Sequence, residues 1–540
     1  MALPAATILS DFPLPALDGS EAPAFTNAAT ARNWAAALPL TNPAQVHNDL
    51  LKEIGLLNRW PLPAAERLAI LDALRKAVSF AQDEIGKRYG GKALPLALGE
   101  QMAFTNGRTL RQACVAGNLR CAADAQDEKV LATAMQRALA HLASLQLEYL
   151  RGRSQVPREY WRQLHGLFAL AESKGLAATP VSDPVRHGDN ATSSLAAYGE
   201  ALLLHAASPF ELSPRNLAWM ARWARRWGAK LTLAKAPPES LDALPLAVDL
   251  ASDLPPRHLP FQGDGARFLL THELRNSLKS RITLLGQGRS PADLQLGDDC
   301  TQPACEALLK QLYPRWCKGG QPRGTERRPE NSPGRTIFGG EGIYYHLSGG
   351  HRLQAAAEAS IADLRQQREN LALFGTLDRA TVKAVDTGPV PPIETHWQLR
   401  DESATGLRLA RLLDSKDAAR LNLGQLIAVE PPGTKRFFLA AVRWLMADNE
   451  GWLQAGVQLL PGPVEAFAQR PADAPAGGGK EPWKQAFLLP ALAARQEPES
   501  LVLPTGSFRA GRKLEIKDGE PIKLTKLLER GEDFERVAYE

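Results

Sequence analysis

Several features are scarce in this chain, and each scarcity removes a class of protein. Five cysteines in 540 residues, an odd number, are too few and too scattered for a disulfide framework. Cys114, Cys121, Cys300, Cys305 and Cys317 contain no C-x-x-C pair, so ordinary thiols are expected and a cysteine-bound metal is not. No run approaches the roughly 18 uninterrupted apolar residues that cross a membrane, and Met1–Asp11 lacks the basic start of a secretion signal. A cytoplasmic location follows as the default, with recruitment to a cell pole or envelope machine left to a partner. Charge of one sign is scarce too, because 64 Lys+Arg against 59 Asp+Glu leaves only +5. Bulk attraction to nucleic acid or to an anionic membrane surface is therefore not expected, and any anion site must be local. The chain has no G-x-x-x-x-G-K-[ST], no G-x-S-x-G and no H-E-x-x-H. P-loop, nucleophile-elbow and zincin chemistry thus have no anchor, and the expectation is a protein that is not an enzyme and needs no metal or redox cofactor.

What remains is an ordinary globular composition, 44% hydrophobic and 23% charged. At about 100–200 residues per domain, several structural units are expected. The first three hundred residues step by three and four. Leu71, Leu74, Val78, Ala81 and Ile85 form one helical stripe after Pro63, and Leu131, Met135, Ala138, Leu142, Leu145 and Tyr149 form another. The pattern recurs over Tyr160–Leu170 and Ala196–His205, so residues 1–310 read as an irregular α-helical region, with subdivisions near 178–190 and 237–260 where Pro, Gly and Asp cluster. Lys318–Arg335 has almost no apolar residue and reads as an exposed basic loop. Beyond it Thr336–Leu347, His396–Leu409, Asn422–Glu430, Arg436–Leu445 and Trp452–Leu460 read as strands, with a helix over 351–374 inserted among them. Arg470–Pro482 reads as a flexible stretch, followed by a small β-rich C-terminal extension over 483–540.

Three motifs invite a chemical reading that simpler packing explains. His272-Glu273-Leu274-Arg275-Asn276 looks like a histidine phosphoacceptor box, but no ATP-binding boxes follow, and a helical surface is expected. Phe338-Gly339-Gly340-Glu341-Gly342 looks like a cyclase signature without its acidic pair, so a glycine turn at a strand end is expected. Trp219, Trp223 and Trp227 interleave with Arg222, Arg225 and Arg226, a combination that can stack single-stranded nucleic acid. Their spacing of four puts all three indoles on one helical face, where burial is the commoner use.

Two further motifs point to a ligand. Arg323-Gly324-Thr325-Glu326-Arg327-Arg328 contains an R-x-x-x-R pair, and Asp401-Glu402-Ser403-Ala404-Thr405-Gly406 is a D-x-S-x-x-G. Arginine pairs at this spacing also occur at Arg158/Arg162 and Arg222/Arg226, so the pair alone says little. The second pattern occurs once, where about 0.2 occurrences are expected by chance. Together, in this order and followed by strands, they resemble the two signatures of PilZ domains. The resemblance covers roughly Arg315 to Arg470 and implies a PilZ-like six-stranded antiparallel β-barrel over 315–470, within an α+β multidomain protein. It also implies that cyclic di-GMP is the ligand. Arg323 and Arg327 would then grip guanine edges and phosphates, Arg328 would assist, Asp401 and Ser403 would hydrogen-bond a guanine, and Gly406 would allow close approach. A guanidinium fork suits guanine O6 and N7 and phosphate alike. From Arg315 to Arg335, six cations (Arg315, Lys318, Arg323, Arg327, Arg328, Arg335) stand against Glu326 and Glu330, a local +4 in a chain of +5. A receptor of this kind would couple the second messenger to motility or biofilm formation, with a protein partner on the helical N-terminal domain. The 74 positions between Arg327 and Asp401 depart from the family pattern, and they leave open a scaffold barrel that binds no nucleotide.

Overall fold

In a computed structural model, two compact units divide the chain near residue 324. The structure describes residues 12, 14–188, 190–237, 245–258, 261–319, 326–353, 389–415, 418–431, 433–472, 481–492 and 496–540. The helix predicted over 351–374 and Arg323 both lie outside the described residues, apart from residues 351–353.

Polar residues followed by proline start several helices of the first unit. Asn42 before Pro43, Asp183 before Pro184 and Ser213 before Pro214 each cap a backbone N–H with the side chain, while proline takes a position that needs no donor. The main helices are Pro43–Arg59, Ala64–Gly86, Leu98–Asp124, Glu128–Arg151, Arg158–Ser173, Ser194–Ala206, Pro214–Trp227, His272–Gly286 and Ala304–Cys317. The stripe Leu71, Leu74, Val78, Ala81 and Ile85 is buried, as its spacing predicts. Helix Glu128–Arg151 is the axis of the unit, buried without a break from Ala134 to Leu150. A helix enclosed on every side must satisfy its polar residues internally. Arg137 therefore pairs with Asp72 at 2.9 Å, and Glu148 accepts from Tyr89 Oη at 2.6 Å. Among the described residues five short strands complete the unit: β1 (Val181–Ser182) pairs with β2 (Ala191–Thr192), and β3 (Thr232–Ala234), β5 (Ala266–Leu270) and β4 (Ala247–Asp249) form a three-stranded sheet.

The tryptophan stripe is core, with Trp219, Trp223 and Trp227 all within 1% of complete burial. Their polar edges are used inside the unit. Trp219 Nε1 donates to Asp299 at 2.8 Å and Trp223 Nε1 to the Leu296 carbonyl at 2.9 Å, so no stacking platform for nucleic acid is present on this face. His272 and Glu273 are both exposed at the start of their helix, on an ordinary surface.

The second unit contains two closed six-stranded antiparallel barrels. The first comprises β6 (Arg328–Phe338), β7 (Glu394–Ser403), β8 (Gly406–Leu412), β9 (Leu426–Glu430), β10 (Phe438–Ala447) and β11 (Trp452–Leu459), in the order β10-β11-β8-β7-β6-β9. The second comprises β12 (Glu465–Pro471), β13 (Lys484–Leu489), β14 (Ser500–Pro504), β15 (Lys513–Ile516), β16 (Ile522–Arg530) and β17 (Phe534–Tyr539), in the order β12-β13-β14-β17-β16-β15. What reads in sequence as a β-rich extension is thus a complete barrel that starts at Glu465. Ile337, Leu426, Ala428, Leu439 and Ala441 of the first barrel share one hydrophobic cluster with Phe487, Leu489, Val502 and Phe534 of the second.

Three local expectations change. The strand predicted over Thr336–Leu347 stops at Phe338, because Gly339 takes φ +76°, open only to glycine without strain, and Gly340–Leu347 is a helix. The polar segment read as an exposed loop is partly strand. Arg328–Arg335 pairs with β7 through an exposed half that needs no apolar residues, and register shifts between Pro329 and Ser332 and between Gly334 and Thr336 absorb the breakers. Arg315 is not in that loop at all. It sits buried on helix Ala304–Cys317 and donates to the Ala207 carbonyl at 2.7 Å.

Buried histidines make the helical unit acid-sensitive, His165 and His205 among them. His165 lies between Tyr198 Oη at 2.7 Å and the Leu254 carbonyl at 2.9 Å, and burial lowers its pKa from 6.5 to about 4. Burial lowers that of His205 to about 4 as well, helped by His258. The folded state holds both rings neutral, so their stabilisation is complete above 6.5 and is lost as pH falls toward 4, where the unfolded chain alone takes up protons. The expected slope is up to about 1.4 kcal/mol per pH unit for each histidine. Urea unfolding followed by helical circular dichroism should show this decline, and His165→Gln should make it shallower. An unfolding midpoint that does not move over this range would contradict the assignment.

Candidate functional site

Strands β7 and β8 form a hairpin whose turn is Ala404-Thr405, with Ser403 opposite Gly406. Leu399, Leu407 and Leu409 are buried, so alternation turns Arg408 outward, and a register shift between Leu399 and Asp401 brings Asp401 to the same face as its register partner Arg408. Arg408 Nε lies 2.6 Å from Asp401 Oδ2. From the residue before β6, Arg327 Nη1 donates to the other oxygen, Oδ1, at 2.7 Å. Asp401 is thus clamped between two guanidiniums. Its side chain is 14% exposed, while Arg327 and Arg408 remain 36% and 38% exposed. Each guanidinium has five N–H donors and spends only part of them on the carboxylate, so the cluster presents unused donors and a surplus positive charge to solvent.

The other residues predicted from the motifs fall around this clamp. Arg328 is exposed and stands opposite Glu402 in the β6–β7 register. Ser403 Oγ donates to the Gly406 carbonyl at 3.1 Å, which closes the hairpin and leaves the hydroxyl oxygen free to accept. Gly406 is required by contact, since a Cβ there would stand 2.6 Å from the Val457 carbonyl of β11.

Strand β11 extends the face with residues that no motif indicates. Gly456 is the register partner of Arg408 and Gln458 that of Gly406. A Cβ on Gly456 would lie 1.8 Å from Trp444 Nε1, so the indole of Trp444, half-buried on β10, covers the strand at the point opposite Arg408. Arg443 follows, with Nε donating to Gln458 at 2.7 Å and Nη1 2.6 Å from Glu529. A carboxylate between two arginines therefore sits beside an aromatic plane, an arrangement that offers both charge and stacking. Arg408 could have been found as the next outward position after Gly406. Trp444 and Gly456 meet only through strand pairing and have no local signature.

Among the described residues no group of three or more His, Cys, Asp or Glu is placed to hold a metal ion, and no helix is long and apolar enough to cross a membrane.

The two glycines should respond differently to a methyl group. Gly406→Ala drives Cβ into backbone and should destabilise the barrel unit by about 1–3 kcal/mol. Gly456→Ala meets the end of a side chain that can turn away, so it should displace Trp444 at smaller cost. Thermal unfolding of the two variants compares them directly, and equal losses would refute the difference.

Residues 29–239 match the family model described as the N-terminal domain of the cyclic-di-GMP receptor FimW, and residues 470–540 match that of the FimW C-terminal β-barrel domain. Along its length the chain is also similar to the cyclic-di-GMP receptor FimW of Pseudomonas aeruginosa (strain PAO1), at 22% identity over 542 residues, 89% of this chain and 85% of that protein. A span of that size includes the first barrel, which lies between the two family matches.

Proposed function

We propose that this protein is a receptor for cyclic di-GMP, with the ligand bound on the outer face of a PilZ-type first barrel. The observation that carries the reading is the Asp401 carboxylate held between Arg327 and Arg408 beside Trp444. Similarity in both flanking domains to a protein named as such a receptor supports it.

Each residue has a role that follows from its chemistry. Arg327 and Arg408 present N–H edges that match guanine O6 and N7 or a phosphodiester, and the carboxylate between them fixes their direction before the ligand arrives. Arg323, four positions before Arg327, supplies the second guanidinium of the pair, and Arg328 adds a charge at the rim. The free lone pairs of Asp401 and Ser403 accept from the amino edge of a guanine. The Trp444 face stacks on the base. Closure of the arginine segment over the ligand then changes the surface read by a protein partner of the helical unit. Nothing in this scheme breaks a bond, so the role is that of a receptor rather than an enzyme. We place it in the cytoplasm, where the messenger would bias a surface behaviour such as pilus-based motility or biofilm formation. The same clamp also suits a scaffold, where it would merely join β6 to the hairpin, and binding separates the two readings.

Calorimetric titration of the full chain with cyclic di-GMP is the test. Arg327→Ala and Asp401→Ala should each cost about 1–3 kcal/mol, one to two decades in affinity. Trp444→Ala should cost a similar amount through lost stacking. Absence of binding by the unaltered protein would overturn the receptor reading in favour of the scaffold.

A further inference from the structure

The helical unit contains a polar cavity of about 50 Å³ that the barrel site does not use. Arg75 and Ser79 come to it from helix Ala64–Gly86, Arg111 from Leu98–Asp124, His141 from the central helix, Arg186 from the turn of helix Pro184–His187, and Arg225 from Pro214–Trp227. Four guanidiniums face one space, and among the described residues no acidic side chain lines it. Charges so placed must be compensated from behind or by something in the space itself.

Compensation from behind is incomplete. Arg75 pairs with Asp183 at 2.8 Å, and Arg186 Nη2 donates to both oxygens of Glu200 at 2.8 Å. Arg225 reaches the same Glu200 only at 3.5 Å, and Arg111 reaches Glu148 only at 3.6 Å. Asp183 is shared with Arg137, and Glu148 with Arg151. Among the described residues, six guanidiniums (Arg75, Arg111, Arg137, Arg151, Arg186, Arg225) thus share Asp72, Asp183, Glu148 and Glu200. The largely exposed Asp83, 3.6 Å from Arg151, offsets one further charge at most.

An unused donor shows where the deficit lies. Arg186 Nη1 is buried without a hydrogen-bond partner on a side chain only 9% exposed, while Arg225 Nε and Arg111 Nε, turned to Glu200 and Glu148 at 3.5 and 3.6 Å, stop short of a hydrogen bond. A buried N–H with no acceptor is costly, and this one lines a void that three further guanidiniums face. His141 stays neutral there, because burial and the surrounding arginines Arg111, Arg75, Arg186 and Arg137 hold its pKa well below 6.5. It adds an N–H donor without adding charge.

Size selects the ligand. A water requires about 10–15 Å³ measured this way, so the space holds a few waters or one tetrahedral oxyanion, and a purine does not enter. The phosphates of a cyclic dinucleotide have a ribose on each side and cannot be inserted alone, whereas a terminal phosphate can. We propose that this cavity is a second, independent binding site for a compact oxyanion of the phosphate type, either the free ion or the terminal phosphate of a small metabolite.

Arg225 is the most exposed of the guanidiniums whose pairing is short, at 33%, and is the substitution least able to disrupt folding. The full chain is titrated calorimetrically with inorganic phosphate, and separately with ribose 5-phosphate, in chloride-balanced buffer of constant ionic strength. Saturable binding of at least one is expected, weakened about tenfold or more in Arg225→Gln, whose loss removes a charge-assisted bond. Ser79→Leu, which narrows the space without touching a charge, should weaken it too, with circular dichroism showing both variants folded. Tighter binding of the phosphomonoester than of phosphate identifies a metabolite as the source, and the reverse identifies the free ion. Arg327→Ala should leave the response intact, which keeps this result separate from the barrel site. No saturable response to either probe, or an unchanged response in both folded variants, overturns the proposal.

Discussion

Strand β9 and the first half of β10, Leu439–Val442, are covered on both faces, and the second unit is organised around that double burial. Leu426, Ala428, Leu439 and Ala441 pack with the second barrel, while Ile427, Val429, Ala440 and Val442, which alternate with them, are equally buried. Polar groups at the seam are matched. Asp533 accepts from the Leu426 N–H at 2.8 Å, and the Glu532 N–H donates to the Gly424 carbonyl at 2.8 Å. Burial raises the pKa of Asp533, so the seam holds its carboxylate at some cost in desolvation. The first barrel is closed on this side, which leaves β7, β8 and β11, with the second half of β10, to carry Asp401, Arg408 and Trp444. Arg443, reaching from Gln458 to Glu529, links that face to the seam.

The helical unit solves a different problem with the same means. Its axial helix is buried on every side yet carries Gln136, Arg137, His141, Gln146 and Glu148, so hydrophobic packing alone cannot account for it. Buried ion pairs of this kind contribute little net stability, but each is strongly destabilising to break, and they set which neighbours the helix accepts. The arginine surplus around His141 is the place where this matching is left short.

Legibility in the sequence followed the range over which each signal acts. Helical stripes such as Leu71 to Ile85 were readable because one face recurs every three or four residues within a single element. The hairpin carrying Asp401, Ser403 and Gly406 was readable for the same reason, since its partners lie within six residues. Gly340–Leu347 misled because Ile343, Tyr344 and Tyr345 have strand character, while the left-handed turn at Gly339 and packing onto Ile337 decide for a helix. Arg328–Arg335 of β6 was missed because a strand that is half exposed needs no apolar residues. Trp444 above Gly456 was illegible for want of any short-range trace, because the contact exists only once β10 and β11 have paired.

The order in which the barrels are strung along the chain bears on how the protein is made. The second barrel closes only when β17 pairs with both β14 and β16. Emerging residue by residue from the ribosome, the first barrel is complete long before that strand arrives. Throughout this interval Leu426, Ala428, Leu439 and Ala441 lack the full cover that the closed second barrel gives them, a sticky patch on an otherwise finished domain. Nascent chains of this protein are thus aggregation-prone in the interval between completion of the first barrel and arrival of β17.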